Sequence, residues 1–137
     1  MLPLLRDALT LGVPISLDTS TPALMRAALD LGVDIINDVR ALRRPGALEV
    51  LAAFPRAGLC LMHSRGEPEA MQTLTDYGDV VADVTAELLG RLQAVRTIGI
   101  DEGRIVLDPG IGFAKTPEQN LAMLARQSEL LAFGRPL

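Results

Sequence analysis

The sequence has almost no cysteine, no block of basic residues and no long apolar run, and each absence excludes a class of protein. One cysteine, Cys60, rules out an internal disulfide and fits a reducing, cytoplasmic environment. The 13 Lys and Arg are scattered among 17 Asp and Glu, a net charge of −4 that argues against nucleic acid as a partner. No apolar stretch approaches the ~20 residues that span a bilayer, so no membrane partner is expected. The first residues lack a basic segment ahead of an apolar core, and no signal peptide is expected. Histidine also occurs once, as His63. Without a second histidine or a cysteine pair at ligand spacing, a zinc site has little support. No low-complexity or linker-like stretch divides the 137 residues, about one domain in length.

What the chain does have is apolar residues, 49 % of the total, with a mean hydropathy of +0.30. Such a chain can bury a sizeable core and suits parallel strands that are apolar on both faces. The most informative stretch is Arg104 to Thr116, RIVLDPGIGFAKT. Ile105-Val106-Leu107 forms a short apolar strand that stops at Asp108. Pro109 and Gly110 break regular structure, Gly112 to Lys115 make a tight loop, and Thr116-Pro117 opens a helix. Thr116 and Gln119 have the spacing of a capping box.

The same plan occurs three times earlier. Leu2 to Leu11 has helical spacing closed by Gly12. Ile15 to Leu17 is a strand ending at Asp18, followed by the candidate caps Thr19, Ser20 and Thr21 and by Pro22 at a first helical position. That helix turns Met25, Ala28 and Leu29 inward and stops at Gly32. Val33 to Ile36, interrupted by Asp34, is a second strand ending at Asn37-Asp38. Pro45-Gly46 open a helix with Leu48, Leu51 and Ala52. Leu59 to Met62 is a third strand ending at His63. Ser64 to Asp76, with Gly66 and Pro68, reads as a loop. A long helix from Asp79 to Ile98 carries a stripe of Val80, Val81, Val84, Leu88, Leu92 and Val95. The helix after Thr116 is expected to turn Leu121, Leu124 and Leu131 inward and to close at Gly134. Arg135 to Leu137 resembles the approach to a fifth strand.

Strand alternating with helix four times predicts an α/β fold of consecutive parallel β-α units. Asp18, Asn37, His63 and Asp108 then leave the C-terminal strand ends on one face, where such folds build their sites. The alternative for each residue is a turn cap. The loop after Asp108 is not a phosphate loop, since the glycine positions counted back from Lys115-Thr116 hold Ala114 and Pro109. Cys60 reads as an inert core thiol and Arg43-Arg44 as a solvated turn. Asp38 reads as a brace for its loop, and His63 as a satisfied strand-end histidine, with catalysis the sharper alternative. Met62 suits either plain packing or the covering of a flat ring. Phe113, without apolar neighbours in register, is a ligand-stacking candidate. Two carboxylates and an amide on one face suit a planar, nitrogen-rich heterocycle. A carboxylate accepts both N–H groups of a 2-amino-pyrimidinone edge, Asn37 supplies a donor and an acceptor, and Asp18 offsets positive charge developing in the ring.

ISLDTSTP, DIINDV, CLMHSRGEPEAMQ and IVLDPGIGFAKT, in this order, resemble dihydropteroate synthase of folate biosynthesis over essentially the whole chain. The wider pterin-binding superfamily, including methyltetrahydrofolate methyltransferases, shares the Asp, Asn and Asp strand ends. The resemblance implies a (β/α)8 TIM barrel that condenses 6-hydroxymethyl-7,8-dihydropterin pyrophosphate with p-aminobenzoate to give 7,8-dihydropteroate. Mg2+ would assist pyrophosphate departure, in a cytoplasmic homodimer. It implies that Asp18, Asn37 and Asp108 hold the pterin, that Met62 packs on it and that Phe113 lies toward p-aminobenzoate. Asp18 and Asp108 would be the catalytic pair, stabilising a pterin-methyl cation. Gly112 and Lys115 are candidate loop contacts.

The sequence departs from the family pattern at Ser64, often a second methionine, and at Ala114, usually glycine. A barrel of this kind takes ~250 residues. The family's metal-binding asparagine loop, Ser-Arg-Lys strand end and Arg-x-His pyrophosphate site have no counterpart here. The expectation is therefore a partial barrel over 1–137, half of a (β/α)8 barrel, with no metal ligand in this chain and no activity by itself. The alternatives are a methyltransferase-type relative, a non-catalytic half-barrel binding module, and a small open sheet of flavodoxin-like order.

Overall fold

Four short strands lie side by side in chain order, β1-β2-β3-β4, every neighbouring pair parallel. They are β1 Ser16–Asp18, β2 Ile35–Asp38, β3 Gly58–Met62 and β4 Ile105–Asp108. The helices between them are α1 Leu2–Leu9, α2 Pro22–Leu31, α3 Ala47–Ala53 and α4 Val80–Thr97, followed by α5 Pro117–Ala125 and α6 Gln127–Leu131. The computed structural model describes residues 2–67 and 70–137. Met1, and Pro68 with its expected place in the loop after β3, lie outside the described residues.

A strict 1-2-3-4 order winds in one direction, as in a barrel. A flavodoxin-like sheet reverses direction at a switch point, so that alternative is excluded. Leu17, Ile36, Leu59, Leu61, Ile105 and Leu107 alternate onto the buried face and join Met25, Leu51, Val84 and Leu88 in one aliphatic core. The expected burial of the strands on both faces holds for this face alone. On the other, Ser16, Asp18 and Val106 are exposed, and Ile35, Asn37 and Cys60 are half-buried.

Local chemistry sets the element ends. Gly32 at φ 102 closes α2 through its N–H to Leu29 and Ala28 carbonyls. The α2 N-cap is Thr21, but its hydroxyl makes no capping bond. Asp79 caps α4 by accepting from Val81 and Ala82 N–H, and the six stripe residues of α4 are buried as expected. Thr116 and Gln119 form the capping box of α5. Asp34 precedes β2 rather than interrupting it; its carboxylate accepts from Ile15 N at 2.8 Å. Arg104 reaches back to the open end of α3, donating to the carbonyls of Leu51, Phe54 and Ala57 at 2.6–2.9 Å.

The last helix differs from expectation. It breaks at Arg126 into α5 and α6, and the side chain of Arg126 pairs with Asp79 and Glu129. Leu121, Leu124 and Leu131 are 67, 50 and 54 % exposed, whereas Met123 and Leu130 are buried. Two apolar rows run along this segment, and the core takes the one through Met123 and Leu130. The final residues lie along the outer edge of β4, where Leu107 N donates to Pro136 O at 2.9 Å.

Candidate functional site

The register draws a row across the sheet. Asp18 pairs with Asn37, Asn37 with Cys60 and Cys60 with Val106; Met62 and Asp108 pair two residues further along. Side chains alternate along a strand, so all six face the same side, the open one. Asp18, Asn37, Met62 and Asp108 are thus brought together at the C-terminal end of one face. Cys60 is not a core residue: it forms the floor between Asn37 and Val106. Its thiol is pushed up to about 11, first by burial, then by Asp108 and by Asp18. It stays protonated and inert, and both carboxylates lie within electrostatic reach of it.

Within this face, Asn37 Nδ2 donates to Asp18 Oδ2 at 3.1 Å. That bond fixes the amide and leaves Asn37 Oδ1 buried, without a partner among the described residues. A buried acceptor left unpaired costs about 1–3 kcal/mol, a cost that a ligand N–H would remove. Asp108 Oδ1 accepts from Gly110 N at 2.7 Å. Met62 is buried but stands outside the main aliphatic cluster, on the open face.

His63 is not on this face. It follows Met62 by one residue, so its side chain turns the other way, toward α4, and is buried. Its Nδ1 lies 3.1 Å from Lys115 Nζ. Its Nε2 is 3.3 Å from Glu87 Oε2 without a well-aligned hydrogen bond. Burial, and then the Lys115 charge, lower its pKa to about 4, against the raising influence of Glu87. Asp38 turns away from Asn37 for the same reason. Fully buried, it accepts from Ser20 Oγ, Arg40 N and Leu42 N and braces its loop.

The loop after β4 is held tightly. Gly110, at φ +68, sits so close to the His63 carbonyl that an added Cβ would be 1.9 Å from that oxygen. Only glycine fits there. Gly112 donates from its N–H to Asn120 Oδ1 and accepts at its carbonyl from Gln72 Nε2. Phe113 is half-buried on the loop. Ala114 takes a left-handed φ of 50. Lys115 is buried, and burial lowers its pKa to about 8 although Asp108 and Glu87 oppose the shift.

A separate cleft of about 440 Å³ opens between the loops after β2 and β3, lined by Arg40, Arg43, Arg44, Arg65, Glu67 and Glu87 among others. None of the six residues on the open face lines it. Arg43 and Arg65 pair with Glu87 here, and Arg65 also lies 3.8 Å over the Tyr77 ring. Among the described residues no group of three or more His, Cys, Asp and Glu side chains is placed to hold a metal ion. The donor set present does not fit Mg2+.

The profile of the family described as pterin binding enzyme matches residues 1–137. The chain belongs to the pterin binding enzyme family. Its relatives in this pterin-binding family include the dihydropteroate synthase of Neisseria meningitidis serogroup B, 45 % identical over 133 residues, 95 % of this chain and 47 % of that protein. The Escherichia coli K12 dihydropteroate synthase is 42 % identical over 123 residues, 90 % and 43 % of the two chains. The chain thus spans about half the length of the curated relatives it matches. Among solved structures, Thermus thermophilus dihydropteroate synthase in complex with 6HMPPP superposes with a TM-score of 0.93 at 39 % identity, covering 99 % of this chain and 53 % of that one. The Burkholderia cenocepacia enzyme complexed with 7,8-dihydropteroate gives 0.82 at 48 % identity, covering 90 % and 44 %. The four β-α units are half of a TIM barrel of this pterin-binding type.

Three features of the site went unread in the sequence. The floor position of Cys60 and the outward turn of His63 follow from counting strand positions in twos, a signal that was present. The Lys115–His63 contact joins residues 52 apart and has no local signature.

Proposed function

We propose that this chain forms the pterin-holding floor of a dihydropteroate synthase. The reaction condenses 6-hydroxymethyl-7,8-dihydropterin pyrophosphate with p-aminobenzoate, giving 7,8-dihydropteroate and pyrophosphate. The observation that carries this is the open face itself, where Asp108 stands across from an Asn37–Asp18 pair whose buried Asn37 Oδ1 still lacks a donor. A pterin edge supplies the missing N–H to Asn37 and adjacent N–H donors to Asp108. Solved relatives bound to 6HMPPP, to 4-aminobenzoate and to 7,8-dihydropteroate support the choice of substrates.

In this scheme Met62 packs against the ring, and Phe113 borders the arylamine. As the C–O bond to pyrophosphate breaks, positive charge spreads into the pterin-methyl group. Asp18 and Asp108, fixed carboxylates on a half-enclosed surface, stabilise that charge more effectively than water does. The arylamine nitrogen then attacks the methylene carbon and loses its proton. Magnesium remains the metal we assign to the complete reaction, but no step here passes through it. A cytoplasmic homodimer completes the proposal. The exposed Leu121, Leu124 and Leu131 offer a dimer an apolar surface. Among the described residues no helix is long and apolar enough to cross a membrane.

The deciding experiment is calorimetric titration of a dihydropterin into the Asp108→Asn protein. Losing a charge-assisted acceptor is expected to weaken binding by about 1.5–3 kcal/mol, roughly 10- to 100-fold. Unchanged affinity rejects the role given to Asp108.

A further inference from the structure

Lys115 is the one cation of the loop that follows β4, yet it faces into the protein. Its ammonium has three N–H groups, and three acceptors meet it: Gly110 O at 3.0 Å, Phe113 O at 3.0 Å and His63 Nδ1 at 3.1 Å. Because Nζ donates, His63 Nδ1 carries the lone pair and the ring is neutral, with its proton on Nε2 toward Glu87. Glu87 is held by Arg65, which stacks on Tyr77 and donates to Asp76 O at 2.6 Å. One buried amine is thus tied, through His63, to α4 and to the loop after β3.

The two carbonyls it grips bracket the tetrapeptide 110–113. Gly110 donates its N–H to Asp108 Oδ1, and Phe113 carries the loop's aromatic ring. Gly110 is also pressed against the His63 backbone, so its place depends on how His63 sits. Ala114, at a left-handed φ, keeps that conformation only because its surroundings impose it.

We propose that Lys115 is a positioning residue: without touching a ligand, its ammonium sets the loop that aims the Asp108 carboxylate and the Phe113 ring. The proposal rests on the pterin site assigned above. It also means that Lys115 has no N–H left over for substrate.

The test compares the intact gene product with its Lys115→Met variant by two measurements. The first is amide hydrogen exchange of residues 110–114 without ligand. The second is the affinity for 6-hydroxymethyl-7,8-dihydropterin, normalised to folded protein. Exchange in 110–114 is expected to speed up at least tenfold while β2 stays protected, and affinity to fall at least tenfold. A part that is merely structural lowers the melting temperature but leaves both numbers within about twofold, and that result overturns the proposal. If the unaltered protein binds no pterin while the variant's loop still loosens, the assigned function fails and the hold of Lys115 on the loop stands. Should Lys115→Met not fold, Lys115→Gln carries the same two thresholds. His63→Leu, which removes one of the three acceptors, is expected to give a smaller loosening of the same five residues; none at all counts against the clamp.

Discussion

At the scale of single residues, two buried groups beside the open face, Ala114 and His63, have consequences for stability. Ala114 occupies a left-handed conformation with its side chain fully buried. That conformation costs an L-residue roughly 1–2 kcal/mol, part of which glycine recovers while losing more chain entropy on folding. Ala114→Gly is therefore expected to stabilise the protein by about 0.5–1 kcal/mol in urea melts, with the loop otherwise unchanged. A loss of stability would mean that the methyl group's packing outweighs the backbone cost. His63 gives a pH dependence whose sign is fixed. Its folded pKa, about 4, lies below the ordinary 6.5. The unfolded chain takes up a proton as pH falls through 6.5, and the folded one does not until about 4. The His63 contribution to stability is complete above pH 6.5 and declines toward pH 4, with a slope approaching ~1.4 kcal/mol per pH unit. His63→Gln, which keeps an acceptor for Lys115, is expected to flatten that slope between pH 6.5 and 5. An unaltered slope would show that His63 is not the group responsible.

At the scale of elements, the strands were readable because each is a short apolar run stopped by a polar residue. Which way those polar residues turn was readable only by parity. Asn37 and Met62 turn to the open face; their neighbours Asp38 and His63 therefore turn to the other. The helix after β4 was harder, since Leu121, Leu124 and Leu131 satisfy helical spacing as well as Met123 and Leu130 do. Only the position of the sheet beneath decides between the two rows. The end of α3 shows a third kind of dependence. Seven residues make a weak helix alone, and Arg104, 47 or more residues away, donates to Leu51 O within it and to Phe54 O and Ala57 O just beyond it. Arg104→Met keeps the apolar stem and removes those bonds. It is expected to cost about 2–3 kcal/mol and to raise amide exchange in α3 ahead of the rest of the chain. Uniform exchange across all elements would show that Arg104 does not act locally on α3.

At the scale of the whole molecule, the decisive property is one-sidedness. Helices cover one face of the sheet, while the other shows Val106 to solvent and, in part, Ile35 and Cys60. Among the described residues, β1 has a strand neighbour on one side alone. An open parallel edge beside a half-apolar face invites association. The 137-residue chain prepared by itself is expected to self-associate with rising concentration in sedimentation velocity. A single monomeric boundary across micromolar to near-millimolar concentrations would count against this. The fold class and the convergence of Asp18, Asn37 and Asp108 at one end of the sheet were legible from spacing. The clamp behind them was not, because it is made by residues that only folding brings together.

The contact between Gly110 and the His63 carbonyl also constrains how this rim can change over generations. No side chain can be added at 110 without displacing the main chain of β3's own end, so adaptation toward a differently shaped ring is closed at that point. Cys60 and Val106 stand on the open floor instead, half-buried and exposed in turn. Drift in what the surface accepts should therefore be sought on that floor, while the turn beside Asp108 stays as it is.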